Sequence, residues 1–302
     1  MTFSKLLKKA FFDEYWVCAI RLLESEETVR LTDDTATYRY QPVHAGWRHW
    51  CADPFLVEHD EKTYLFCEIV RHGQKRASIG CAVVENGRVG RIRPVINASY
   101  HLSYPAVFHH NGRFYMVPES RPSKTLTLWR ATDFPSQWEQ FAILLENREI
   151  ADATPYWDGR SWVLFIYEPD DENNRRTLYT APLDLENGTL GSLKKRAVFA
   201  EKTGRPAGFP IRIGSHLILP TQLGVRHYGE AIAYREIIIN SHTFAERDCG
   251  RLSPACVRVS GYPHISGIHT INRLGNLEVI DIHYRRFAPF RVFHRIFERG
   301  SQ

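Results

Sequence analysis

Chemistry based on sulfur has little to work with in this chain. Its six cysteines, at 18, 51, 67, 81, 249 and 256, form no CxxC pair and no zinc-like spacing with histidine. In 302 residues they read as buried free thiols of a reducing compartment, not as a disulfide framework. Lysine is also scarce, with 9 lysines and 30 arginines making up the 39 basic residues. No apolar run approaches the roughly 18 residues of a membrane-spanning helix. The absence of GxGxxG, of a P-loop and of HExxH leaves nucleotide-fold and zincin readings without support, and no cofactor or metal is expected. The net charge of +5 is scattered rather than striped, so nucleic acid is not the expected partner. Lys5, Lys8 and Lys9 resemble the start of a secretion signal, but Asp13, Glu14 and Arg21 interrupt any apolar core behind them. The expectation is therefore a cytoplasmic protein. Residues 1–14 read as an N-terminal arm, packed on the body or touching a membrane surface through its basic, apolar stretch 3–12.

What the chain does have is 43% hydrophobic and 13% aromatic residues, arranged in a repeat. ADPFLVEHDEKTYLFCE (52–68), SYPAVFHHNGRFYMVPE (103–119) and ADATPYWDGRSWVLFIY (151–167) share one pattern, as do GRPAGFPIRIGSHLILPTQ (204–222) and SGIHTINRLGNLEVIDIHY (266–284). Each runs from a small or polar start through an alternating apolar segment, a tight turn and a second apolar segment. Prolines at 54, 105, 155 and 206 give spacings of 51, 50 and 51, and His269 takes that place in the fifth copy. Turns such as Asn111-Gly112 and Asp158-Gly159 have hairpin chemistry. Further strand-like segments lie between the copies, so each copy holds about four short strands, the size of a propeller blade. Helical periodicity is nearly absent. The reading is an all-β, single-domain, five-bladed β-propeller over 15–290, in preference to a β-sandwich. Blade cores fall near 52–100, 103–149, 151–200, 204–260 and 265–290. Strand 15–22 completes the last blade, and 291–302 form a C-terminal tail.

The repeat itself locates a site. The first strand of each blade starts near the axis, and its hairpin returns the second strand to the same face. Counting from the turns pairs Asp53 with Glu68, Tyr104 with Glu119, Ala207 with Gln222, Thr270 with Asp281 and Ile268 with His283. Asp53, Glu68, Tyr104, Glu119, Asp152, Arg205, Gln222, His269 and His283 are therefore expected at one mouth of the channel. A one-residue slip in any strand would turn its members to the other face. Carboxylates crowded in a partly dehydrated funnel have their pKa values pushed apart, the setting for acid–base work on a glycosidic bond. Trp47, Trp50, Tyr156 and Tyr228 are candidate sugar platforms. His101 and the His109-His110 pair read as loop and hairpin residues rather than metal ligands, and Asp170-Asp171-Glu172 as a solvated loop.

Several of these segments carry a resemblance. ADPF on a five-blade period resembles the five-bladed glycosidase propellers, the arabinanase, xylosidase and invertase-like enzymes. ADPFLVEHDEKTYLFCE, SYPAVFHHNGRFYMVPES, LWRATDFPSQW, RPAG, YGEAI and GIHTI more closely resemble the N-terminal propeller domain of glucosamine inositolphosphorylceramide transferase-like proteins, over about residues 15–285. The resemblance implies that Asp53 acts as base or nucleophile and that Asp152 positions the acid. The fourth-blade glutamate of the arabinanase-like enzymes has no counterpart, because Gly-Arg-Pro-Ala-Gly with Arg205 stands there. Glu119 becomes the candidate acid, Glu68 a tuning group, and Arg205 suggests an anionic sugar or sugar-phosphate. Tyr228, Gln222, His269 and His283 are expected to bind substrate. In plants the resemblance implies fusion of this domain to a glycosyltransferase, and the 302 residues here are expected to hold the propeller alone. The function expected is glycosyl transfer or trimming in intracellular synthesis of a surface polysaccharide or glycolipid. A non-catalytic sugar-binding scaffold that partners a separate glycosyltransferase stays open beside it.

Overall fold

A computed structural model describes residues 12–173, 175–199, 202–239 and 244–287. Helix is confined, among these, to three 3-10 turns at Glu27–Val29, Arg121–Ser123 and Pro254–Cys256, and the remaining elements are strands in five sheets. Each sheet is one blade, so the expected five-bladed propeller is the fold. The expected arm at 1–11, within 1–14, and the tail at 291–302 lie outside the described residues.

Blade one is built from His49–His59, Lys62–Arg71 and Ala77–Glu85, with Arg88–Val89 and Arg93–Ile96 on its outer edge. Blade two runs Ser103–His110, Arg113–Glu119, Thr125–Asp133, Gln137–Glu146. Blade three runs Ala151–Trp157, Trp162–Asp170, Arg175–Asp184, with Thr189–Leu190 and Lys194–Phe199 outside. Blade four has Thr203–Pro206 and Ile211–Ile213 inside, then His216–Leu223, Ala231–Ile239 and Phe244–Leu252. Blade five closes the ring. Its inner pieces Ile265–Gly267 and Ile271–Leu274 pair with Leu277–Phe287, which pairs along its whole length with the N-terminal strand Phe12–Leu22. Tyr38–Pro42 follows, and Val257–Val259 lies parallel to it. The closing strand begins at Phe12, three residues earlier than the sequence placed it, because Phe12, Asp13 and Glu14 find partners in Phe287, Arg286 and Arg285.

The hydrophobic core is divided between neighbouring blades. Phe55, Phe66, Met116 and Trp129 fill the space between blades one and two, and Leu128, Leu164 and Ile166 that between two and three. Cys18, Cys51 and Cys67 meet at the seam between blades five and one, with all three sulfurs within 4.8 Å of one another. Their separations of 33 and 16 residues gave no sign of this, because Cys18 comes from blade five and Cys51 and Cys67 from the two inner strands of blade one. At the hairpin end of the blades the positive φ values are those of two-residue turns. Asn111 and Gly112, for example, have φ of 48° and 76°, which suits a two-residue hairpin.

The opposite end is built differently. In each of blades one, two and three a β-bulge interrupts the innermost pair, and its first residue is a non-glycine at positive φ: Asp53 (50°), Tyr104 (46°) and Asp152 (46°). Blade four has a bulge at Gly204, with φ 76°. A non-glycine held there costs about 1–3 kcal/mol, and such strain clusters at functional sites. The bulges also shift the register by one. Glu68 is opposite Ala52, Glu119 opposite Ser103, and His283 opposite Gly267, not Asp53, Tyr104 and Ile268 as direct counting gives. In blade four the offset is two residues, Gln222 opposite Arg205 instead of Ala207, and it arises where the inner strand breaks between Pro206 and Ile211. The bulge absorbs the slip, so most of the expected side chains still face the mouth.

Candidate active site

The carboxylates at the mouth are linked blade to blade through backbone amides. Asp281 Oδ2 accepts from Asp53 N (3.0 Å), Asp53 Oδ2 from Tyr104 N (3.1 Å), and Glu119 Oε2 from Asp152 N (3.1 Å). Each carboxylate thus satisfies the N–H that a strained residue of the next blade turns toward the axis. This explains why acids occupy these positions and why the strained backbone is tolerated.

Two clusters result. In the first, Asp53 Oδ1 accepts from Thr270 Oγ1 (2.8 Å) and lies 3.3 Å from His269 Nε2. Asp281 Oδ1 accepts from both His269 N and Thr270 N at 3.0 Å. His269 Nδ1 lies 2.6 Å from Asp281 Oδ2 but out of line for a hydrogen bond. Burial would lower the His269 pKa, but Asp281 and Asp53 outweigh it and raise it. Burial raises the Asp53 pKa, against the pull of His269. One ligand atom from each of Asp53, His269 and Asp281 lies within 4.8 Å of the others, so this trio could hold a cation, a grouping that residue spacing did not reveal.

In the second cluster, Arg205 donates from Nε to Asp152 Oδ2 (2.6 Å) and from Nη2 to Asp152 Oδ1 (2.9 Å) and Glu119 Oε2 (2.7 Å). Gln222 Nε2 adds a bond to Asp152 Oδ2 (2.8 Å). Burial would raise Glu119, but the Arg205 charge and the Asp152 amide hold it below the ordinary carboxylate range. Burial drives Asp152 well upward, because a single guanidinium faces two carboxylates. Between the clusters sits Glu68, whose Oε1 is 3.4 Å from His101 Nε2. Burial, followed by the charges of Asp53 and Glu119, raises its pKa well above that of an ordinary glutamate.

One wall is aromatic. Trp16 stacks on His269 with ring centroids 3.9 Å apart, and Tyr228 meets both rings edge-on at 5.8 and 5.2 Å. Tyr228 is half exposed at the rim, where Arg205 Cζ approaches its ring at 5.9 Å. His283 packs on Trp16 at 5.0 Å and hydrogen-bonds Ser266 Oγ through Nδ1 at 2.7 Å. Burial lowers its pKa.

The structure thus brings Asp53, Glu68, Glu119, Asp152, Arg205, Gln222, Tyr228, His269 and His283 to one mouth. Tyr104 is the correction. Its side chain is fully buried, its hydroxyl accepts from Gly208 N (2.7 Å) and bonds Thr154 Oγ1 (2.9 Å), and its ring packs on Phe55. It supports the floor rather than touching a ligand, because the bulge turns it away from the mouth. Arg205 is held by two carboxylates through Nε and Nη2, and its side chain stays 22% exposed. Five carboxyl groups stand here beside Arg205, His269, His101 and His283. Sequence reasoning missed Trp16 and Asp281 as site members. The signal for Asp281 was a charged residue between Ile280 and Ile282 in an otherwise apolar strand.

Solved structures share this fold. The catalytic domain of a Coprinopsis cinerea GH62 alpha-L-arabinofuranosidase superposes with a TM-score of 0.55 at 13% identity, covering 77% of this chain and 90% of that one. A GH43 endo-arabinanase from Bacillus licheniformis gives 0.54 at 15% identity, with coverages of 81% and 96%. Among curated proteins, glucosamine inositolphosphorylceramide transferase 1 of rice (Oryza sativa subsp. indica) is 31% identical over 125 residues, 40% of this chain and 17% of that protein. The Arabidopsis thaliana protein of the same name is 30% identical over 118 residues, 38% of this chain and 15% of its own length. The matched stretches are thus a small part of those relatives. Residues 42–244 match the family described as glucosamine inositolphosphorylceramide transferase 1, N-terminal, and the chain belongs to that family.

Proposed function

We propose that the mouth is a carbohydrate site acting on a glycosidic bond, in transfer to or trimming of a glycolipid or surface polysaccharide. The observation that carries this is the convergence of five buried carboxyl groups at one mouth, four of which, Asp53, Glu68, Glu119 and Asp152, sit in environments that separate their proton affinities. That separation is what paired acid–base chemistry needs. Glu68 replaces Glu119 as the acid in this reading. A buried carboxyl with a raised pKa keeps its proton to give to a leaving oxygen, whereas Glu119 is held as an anion by Arg205. Asp53 is the base or nucleophile, with Thr270 and the Tyr104 amide fixing its two oxygens. Trp16 and Tyr228 supply the apolar platform for a sugar face.

A second reading has its own observation. Arg205 locks Asp152 and Glu119 together, an arrangement suited to a rigid sugar-binding scaffold that partners a separate glycosyltransferase. Turnover of a panel of nitrophenyl glycosides and activated sugars separates the two. Asp53→Asn and Glu68→Gln are expected to cut turnover by about 10²–10⁴-fold with the fold intact. Binding of the same sugars without turnover in the unaltered chain would favour the scaffold, and equal rates in both variants and the parent would remove the acid–base assignment.

A further inference from the structure

The two strands that close the ring overshoot the mouth. From the Trp16–His283 pair at the site they continue four residues to the Phe12–Phe287 pair, about 13 Å further at ~3.3 Å per residue. Loops of neighbouring blades flank this ribbon at the same face. His72 N donates to Arg48 O (2.8 Å), and the His72 ring meets Tyr15 of the ribbon edge-on at 5.8 Å. On the other side Tyr228 meets Trp16. The rim from blade four through blade five to blade one is therefore continuous.

This rim combines exposed apolar side chains with cations. Trp47 is 82% exposed and Val225 50% exposed, and Arg48 Cζ lies over the Trp47 ring at 4.2 Å. Residues 71–76 are all exposed and include Arg71, Lys75 and Arg76. Among the described residues no carboxylate lies within ion-pair distance of these three or of Arg48. The rim of blades two and three contrasts with it. There Arg121 is paired with Glu149 (3.0 Å) and Asp171 (2.9 Å), and Arg148 donates to Glu168 (2.7 Å). The two chain ends that continue from the ribbon are of the basic kind. Residues 1–11 hold Lys5, Lys8 and Lys9 with no acid, and 288–302 hold Arg291, Arg295 and Arg299 with Phe290, Phe293, Phe297 and a single acid, Glu298.

We infer that the blade four–five–one rim docks on an anionic lipid surface, with the sugar site facing the headgroups. Unpaired arginine and lysine are drawn to the negative potential of such a surface, and an exposed tryptophan beside them is suited to the interface. The inference goes beyond the carbohydrate reading and stands independently of it, since vesicle binding needs no turnover. The test is cosedimentation of the full chain with phosphatidylcholine vesicles, with and without roughly a third phosphatidylserine, at low and high salt. Binding is expected only to the anionic vesicles and to weaken with salt. Arg48→Glu/Arg71→Glu should weaken it at least twentyfold, taking about fivefold per charge. Arg113→Glu/Arg160→Glu, at hairpin turns on the far face, should leave it within about twofold, as should Asp53→Asn at the site. Equal partition onto neutral and anionic vesicles, no binding, or an equal loss from the far-face pair would overturn the inference.

Discussion

The two carboxylate clusters at the mouth do the same structural job with different counter-charges. Asp53 and Asp281 face each other across a histidine, whereas Glu119 and Asp152 share an arginine. Histidine can lose its charge near neutral pH, and arginine cannot. The first cluster therefore adjusts its protons, while the second keeps a fixed positive charge. Glu68 belongs to neither, and burial with the charges of Asp53 and Glu119 raises its pKa well above the ordinary glutamate range. The difference teaches that acidity at this mouth is arranged by partner choice more than by depth, because all five carboxyl groups are buried.

The largest way to break the comparison is Asp281→Ala. It removes the acceptor of three buried amides, those of Asp53, His269 and Thr270. At about 1–3 kcal/mol for each unsatisfied group the loss should be about 3–9 kcal/mol, read by urea denaturation. Asp281→Asn, which retains one acceptor oxygen, should lose less.

Arg205→Ala should come next, at about 3–5 kcal/mol at neutral pH, because it strands two buried carboxylates. Without Arg205 the Glu119 pKa rises, so protonation relieves the penalty and stability should recover as pH falls. An equal penalty at mildly acidic and mildly basic pH would mean that Arg205 contributes packing rather than charge.

The third effect concerns pH in the unaltered protein. Glu68 and His269 both have raised pKa values in the folded state. A raised group contributes stability that is full below its unfolded pKa and is lost as pH rises through the folded one, by up to about 1.4 kcal/mol per pH unit for each proton. Stability should thus decline toward alkaline pH, and Glu68→Gln should flatten part of that decline. The smallest effect is Tyr104→Phe. It removes the hydroxyl that receives the Gly208 amide, a change of about 1–3 kcal/mol that should leave any turnover nearly unchanged.

The five blades were legible because a period of about 50 residues, with hairpin turns at fixed offsets, has few other physical solutions. The membership of the mouth was largely legible too, since the start of each inner strand must face the axis. The register was not. A bulge adds one residue without altering the alternation on either side of it, so Asp53 and Glu68 were expected as direct partners and are offset by one. The role of Tyr104 was lost for the same reason. The meaning of Arg205 was not legible either. An arginine at a site centre suggests an anionic ligand, and the two carboxylates that also hold it arrive from blades two and three. Trp16 was hidden because the strand carrying it lies at the far end of the sequence from the blade it completes.

The most direct measurement is a residue-resolved titration of the carboxyl groups by carbon NMR, with Glu68→Gln and Glu119→Gln used to assign the two signals. The account predicts that Glu68 titrates well above the ordinary glutamate range and Glu119 below it. A Glu68 signal that titrates at or below that of Glu119 would contradict the division of the mouth into a proton-carrying acid and an arginine-held anion.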